Sequence, residues 1–182
     1  MKKIVAILAA AVIGMSLLAP KANAIEDQWE KGTFVVGGMV GYYPGFGVTA
    51  YGDYVLVDSW WKGHFTVGGQ VNLQFRHQNL VSGYNIYYNW TDVAAAARAT
   101  YGLNITDKFE VHAGALAGLG FIAERIHYDT TAIEDARANT LRPCLGGLAG
   151  VRYFFSDSFG VTAEFNYSNY GALANVGVAF KF

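Results

Sequence analysis

The sequence predicts an all-β fold, an eight-stranded antiparallel up-and-down transmembrane β-barrel preceded by a cleaved signal peptide. Three observations predict it. From residue 33 onward the chain falls into stretches that alternate with period two, the repeat of a strand with two unlike faces. The ionic residues of those stretches share one parity, and most of the large aromatics share the other. The last stretch keeps its alternation up to a terminal aromatic, Phe182. Chain ends in water usually fray, whereas an unpaired strand edge in lipid is costly.

The elements follow in order. Lys2 and Lys3 precede an apolar run over 4–18, and Ala22-Asn23-Ala24 supplies small residues at the spacing of a leader-peptidase site. This is the pattern of a signal peptide spanning 1–24. The run of 15 residues is short of the roughly 20 that a helix needs to cross hydrocarbon. The remainder, 25–182, is expected to form one barrel domain. It carries 10 Lys+Arg against 14 Asp+Glu, a net charge of −4, which provides no basic field for nucleic acid. Cys144 is the single cysteine, so no intrachain disulfide can form.

Eight alternating segments are expected over 33–42, 46–56, 64–76, 91–102, 109–124, 141–153, 159–167 and 172–182. The third is the clearest: Phe65, Val67, Gly69, Val71, Leu73 and Phe75 alternate with His64, Thr66, Gly68, Gln70, Asn72, Gln74 and Arg76. The fourth contains four consecutive alanines, 94–97, a composition that also suits a helix. Short turns at 104–107 and 156–158 alternate with long polar stretches at 78–90 and 125–140, the asymmetry of an outer-membrane barrel. An even strand number places both termini on the periplasmic side.

An alternating barrel can fill its core with the oily face in water, or turn that face to lipid. Three features favour lipid. Glycine is frequent on the charged parity, including Gly37, Gly68, Gly114, Gly146 and Gly150, where small residues relieve crowding in a narrow barrel. Aromatics of the oily parity sit near strand ends, Tyr54, Tyr101, Tyr153 and Phe159 toward one rim and Tyr42, Phe46, Phe75 and Tyr167 toward the other, as in an interfacial girdle. The strand charges are balanced: Asp53, Asp92, Glu110, Glu124 and Glu164 against Arg76, Arg98, Arg142, Arg152 and Lys181. Enclosed together they can pair, whereas an Arg or Lys facing mid-bilayer costs about 2–4 kcal/mol.

Particular residues carry a resemblance. They are Gly150-Val151-Arg152-Tyr153-Phe154-Phe155-Ser156-Asp157, then Gly160-Val161-Thr162-Ala163-Glu164, and the closing run Asn175-Val176-Gly177-Val178-Ala179-Phe180-Lys181-Phe182. Through them the chain resembles the small outer-membrane β-barrel domain family of Gram-negative bacteria, the porin-family or OmpA/OmpX-like eight-stranded barrels. The resemblance implies an outer-membrane location. It also implies that Phe180 and Phe182 serve as the signal read by the barrel-assembly machinery. It implies no reaction, because the family is defined by its scaffold.

The chemistry-bearing residues are sparse. Glu110, His112, Glu164 and His64 fall on one face, and a histidine beside carboxylates can act as a general base. A sealed lumen makes an interior hydrogen-bond network the favoured reading. His127 with Asp129, Glu134 and Asp135 lacks tight metal-ligand spacing. No catalytic residue, metal or cofactor is therefore assigned. Tyr84, Tyr87, Tyr88 and Trp90 form the one stretch that suggests recognition, since such side chains bring contact area at low entropic cost. The alternative is that they extend strands three and four above the membrane. The expected function is a non-enzymatic outer-membrane barrel with a structural or interaction role, partnered by outer-membrane lipid and an unidentified extracellular ligand. A narrow solute channel and a lipid-modifying enzyme are the alternatives.

Overall fold

The computed structural model describes residues 29–61, 63–81, 86–127 and 136–182; the expected signal peptide lies outside them. Eight strands follow one another: β1 Phe34–Tyr42, β2 Phe46–Trp60, β3 Gly63–Val81, β4 Ile86–Asn104, β5 Phe109–His127, β6 Ala136–Phe154, β7 Phe159–Ser168 and β8 Ala174–Lys181. Each pairs antiparallel with its neighbours in sequence, and β8 pairs with β1 to close the barrel. Closure runs from Val35 opposite Lys181 to Tyr42 opposite Ala174. Within the ring it leaves no open sheet edge, the condition for strands to cross lipid.

The alternation reads directly as burial. In β2, Gly47, Thr49, Tyr51, Asp53 and Val55 are buried, and Phe46, Val48, Ala50, Tyr54 and Leu56 are exposed. The exposed set includes Val40, Val71, Leu119, Leu145, Phe165 and Val176, a hydrocarbon exterior that water would not support over such an area. The buried set includes Gln70, Gln74, Asn72, Asn175 and the central charges. The protein is therefore apolar outside and encloses its polar and charged side chains, between two smaller apolar clusters. The alanines 94–97 lie in β4, where Ala94 and Ala96 point inward and Ala95 and Ala97 outward; ladder pairing on both sides overrides their helical preference.

β2, which continues to Trp60, and β3 to β6 run beyond the stretches that the periodicity predicts. β3 to β6 each run 19 residues and project beyond the ring at the end opposite the termini. Most of the polar stretches expected as loops at 78–90 and 125–140 thus continue the ladder, with Asn89 opposite Arg125 and Arg125 opposite Arg137. Above the apolar band polar and apolar residues mix without a period of two, as in Ile86-Tyr87-Tyr88-Asn89-Trp90, so alternation gives no signal while backbone hydrogen bonding persists. Register shifts fall between Val55 and Val57 and between Asn79 and Val81. Such bulges are common at barrel rims.

Candidate functional site

The lumen gathers the chain's chemistry. Inner positions recur at every second residue, so β2, β4, β5, β6 and β7 each deliver a charged group to one cluster in the lumen: Asp53, Arg98, Glu110, Arg152 and Glu164. All five are buried. Arg98 Nε lies 2.8 Å from Asp53 Oδ1, and Arg98 Nη2 lies 2.9 Å from Glu164 Oε1. Arg152 Nη2 lies 2.6 Å from Asp53 Oδ2, and Arg152 Nη1 lies 3.4 Å from Glu110 Oε1. Asp53 thereby bridges both guanidinium groups. The Tyr51 ring lies beside the pair, with the guanidinium carbons of Arg98 and Arg152 at 4.5 and 5.2 Å from its centroid.

Two histidines complete the cluster. His112 Nδ1 is 3.3 Å from Glu110 Oε1, and its Nε2 is 3.0 Å from Glu164 Oε1. His64 Nε2 is 3.6 Å from Glu110 Oε1. Gln70 accepts from Arg98 Nη1 at 3.2 Å. A single charge in this setting would pay a large desolvation cost. Within the set, each carboxylate meets at least one guanidinium, and Asp53 and Glu164 meet both, so the members are tolerable together and costly one at a time.

Both ends of the cluster are covered. At the terminal end Trp29, in the segment before β1, is buried and stacks on His64 at 4.3 Å with an interplanar angle of 10°. Its ring meets Phe154 edge-on at 5.7 Å. The Arg152 guanidinium carbon and the Lys181 Nζ lie 5.9 and 5.8 Å from its centroid, within cation–π range. At the opposite end Tyr170, in the β7–β8 connection, donates its hydroxyl to the Gly120 carbonyl at 3.0 Å. The ring occupies the space that a Cβ on Gly120 would need. Arg76 pairs with Asp92 and donates its Nε to Gln74 Oε1 at 3.2 Å. Cys144 is fully buried in an apolar cluster with Leu116, Leu148 and Tyr170.

Gly150 shows how tightly the interior is filled. A Cβ there would lie 2.6 Å from the Ala163 carbonyl, 2.7 Å from Glu164 Cγ and 2.8 Å from His112 Nε2. Gly150→Ala is expected to lower stability by about 1–3 kcal/mol through overpacking, measured as a lower denaturant midpoint for the folded barrel in detergent. An unchanged midpoint would mean the cluster is looser than these distances state.

The remaining sequence-designated residues separate by position. Glu124 is half-buried and Arg76 partly exposed. Arg142 departs from expectation: it has the inner parity but is exposed, because β6 there has risen above the end of β7, whose pairing stops at Gly146. Tyr88 and Trp90 lie in β4, half-buried, with ring centroids 3.7 Å apart. Tyr87 is a β4 residue opposite Asn79. Tyr84 lies outside the described residues, as do Asp129, Glu134 and Asp135. Phe180 is exposed beside Phe159, and Phe182 exchanges backbone hydrogen bonds with Phe34 at 2.8 and 2.9 Å. Among the described residues, no group of three or more His, Cys, Asp or Glu is placed to hold a metal. Trp29, Tyr51 and Tyr170 were not legible as site residues. Tyr51 shares the parity of Asp53, which was the available signal, while Trp29 and Tyr170 lie outside any alternating run.

No protein-family model matches the sequence, and no curated protein matches it. Solved structures do. Ail, the attachment invasion locus protein of Yersinia pestis, in complex with the heparin analogue sucrose octasulfate, is 13% identical with a TM-score of 0.53, covering 82% of this chain and 97% of that one. The N-terminal β-barrel domain of Pseudomonas aeruginosa OprF is 18% identical with a TM-score of 0.50, covering 84% and 98%. A major outer membrane protein of Thermus thermophilus is 13% identical with a TM-score of 0.51, covering 82% and 99%. Strand number, closure, an oily exterior and these likenesses agree: the chain has the fold of the eight-stranded outer-membrane β-barrels.

Proposed function

We propose that this protein is an integral outer-membrane barrel with a closed lumen, working as a structural or interaction protein and not as an enzyme or a channel. Both termini are assigned to the periplasm and the β3–β6 projection to the cell exterior. The observation that carries the reading is the buried ionic cluster capped by Trp29 and Tyr170. Five charged side chains and two histidines occupy the bore where a solute would pass. An eight-stranded barrel has an interior just wide enough for side chains to fill. The same burial opposes catalysis, since Glu110, His112, Glu164 and His64 are each 1 % exposed and a general base must reach its substrate's proton. Binding of a heparin analogue by Ail supports an outward end that meets extracellular ligands. Phe180 and Phe182 remain the assigned assembly signal.

Single-channel recording in planar bilayers tests the closed lumen. The reconstituted protein is expected to leave the baseline conductance unchanged, and steady ion steps would overturn the reading. Lipid A from cells with and without the protein is expected to have the same mass spectrum, and a mass difference would revive the enzymatic alternative.

A further inference from the structure

The guanidinium groups of the lumen cluster do not balance its carboxylates. Asp53, Glu110 and Glu164 bring three negative charges, and Arg98 and Arg152 bring two positive ones. Arg76 and Asp92 are a separate pair. The half-buried Lys181 of β8 sets its Nζ over the rings of Trp29 and Phe154, 5.8 and 5.0 Å from their centroids. Tyr51 of β2 completes the ionisable neighbours, with its ring beside both arginines. Glu110 is the acid least well served. It meets one guanidinium, Arg152 through Nη1 at 3.4 Å, and its Oε2 is buried with no hydrogen-bond partner among the described residues. A net buried charge is costly.

His112 stands between two of these acids. Its Nε2 lies 3.0 Å from Glu164 Oε1 and its Nδ1 lies 3.3 Å from Glu110 Oε1. An ionised carboxylate offers only lone pairs, so Nε2 is the donor toward Glu164. A neutral imidazole has a single N–H. With that hydrogen on Nε2, the Nδ1 lone pair would stand against a second anionic oxygen. Among the described residues no group hydrogen-bonds to Nδ1, so nothing donates to that lone pair. An imidazolium presents N–H on both sides and faces an acid with each. His64 of β3 is less well placed: it meets one acid, Glu110 Oε1 at 3.6 Å, and turns its ring face to Trp29.

We propose that His112 is an imidazolium in the folded barrel, the third cation of the lumen, and that its proton is a lock that holds through neutral pH and fails in alkali. The contact with Glu164 joins β5 to β7, which are not neighbours in the ring, so no ladder bond replaces it. The sign of the pH dependence follows. In the unfolded chain a histidine releases its proton near pH 6.5, about its unperturbed value. Above that pH the folded barrel holds one proton more than the unfolded chain, and stability falls as pH rises. While the ring keeps its proton, the unfolding constant rises about tenfold per pH unit. Below that pH both states hold the proton and the contribution is complete.

The test uses the full mature protein folded in detergent micelles, so it does not depend on which end faces the cell exterior. At pH 7.5, 15N spectra of the histidine-labelled barrel are expected to show one ring with N–H on both nitrogens, and this signature is expected to vanish in His112→Gln. Urea unfolding is then compared between pH 6.5 and 8.5. The unfolding constant of the parent is expected to rise about tenfold per unit more steeply than that of His112→Gln, while His64→Gln keeps the parent's slope. Glu110→Gln balances the cluster without the proton and is expected to flatten the slope as His112→Gln does; if His112→Gln does not fold, Glu110→Gln decides in its place. A neutral imidazole at position 112 in the parent at pH 7.5, or a parent slope no steeper than that of the deciding variant, would overturn the proposal.

Discussion

Arg98→Leu is expected to cost about 3–5 kcal/mol of barrel stability, the scale for removing one partner of a buried ion pair. Arg98 contacts Asp53 at 2.8 Å and Glu164 at 2.9 Å, so leucine removes a cation from two carboxylates at once. Arg152 reaches both acids, Glu164 only at 3.8 Å, and cannot replace the lost guanidinium geometry. The midpoint of urea unfolding in detergent micelles measures the effect. Arg98→Leu combined with Glu164→Leu is expected to recover part of the loss, because the second change removes one stranded acid. A single variant as stable as the parent would refute the claim that these charges depend on one another.

Val71→Arg is expected to impair insertion, with a penalty of about 2–4 kcal/mol for a cation facing the bilayer midplane. Val71 is 52% exposed on the oily face, in a row of Gly38, Ala50, Val71, Ala95 and Leu119. Val71→Leu keeps hydrocarbon at the same spot and should insert as the parent does. The folded fraction after transfer from urea into lipid vesicles reads both. If Val71→Arg folds as fully as Val71→Leu, the wall does not face hydrocarbon at this depth.

Much of the molecule was legible because a strand in lipid writes its environment into every second residue. Asp53, Arg98, Glu110, Arg152 and Glu164 could be placed inside from parity alone. Strand lengths were less legible: above the oily band, β3 to β6 mix polar and apolar residues on both faces and lose the alternation that reveals them. Arg142 shows the same limit, since parity says which way a residue points but not whether the barrel still surrounds it.

By itself, the sequence determined that the chain is a barrel, which face is oily and which way each strand charge points, all consequences of local period-two patterning. Tertiary structure alone decided which acid meets which base, that Trp29 and Tyr170 cover the cluster, and that Arg125 stands opposite Arg137. Those facts depend on register between strands and on where the connections fold back. Register is set by closure of the whole ring, a condition no single stretch of sequence contains.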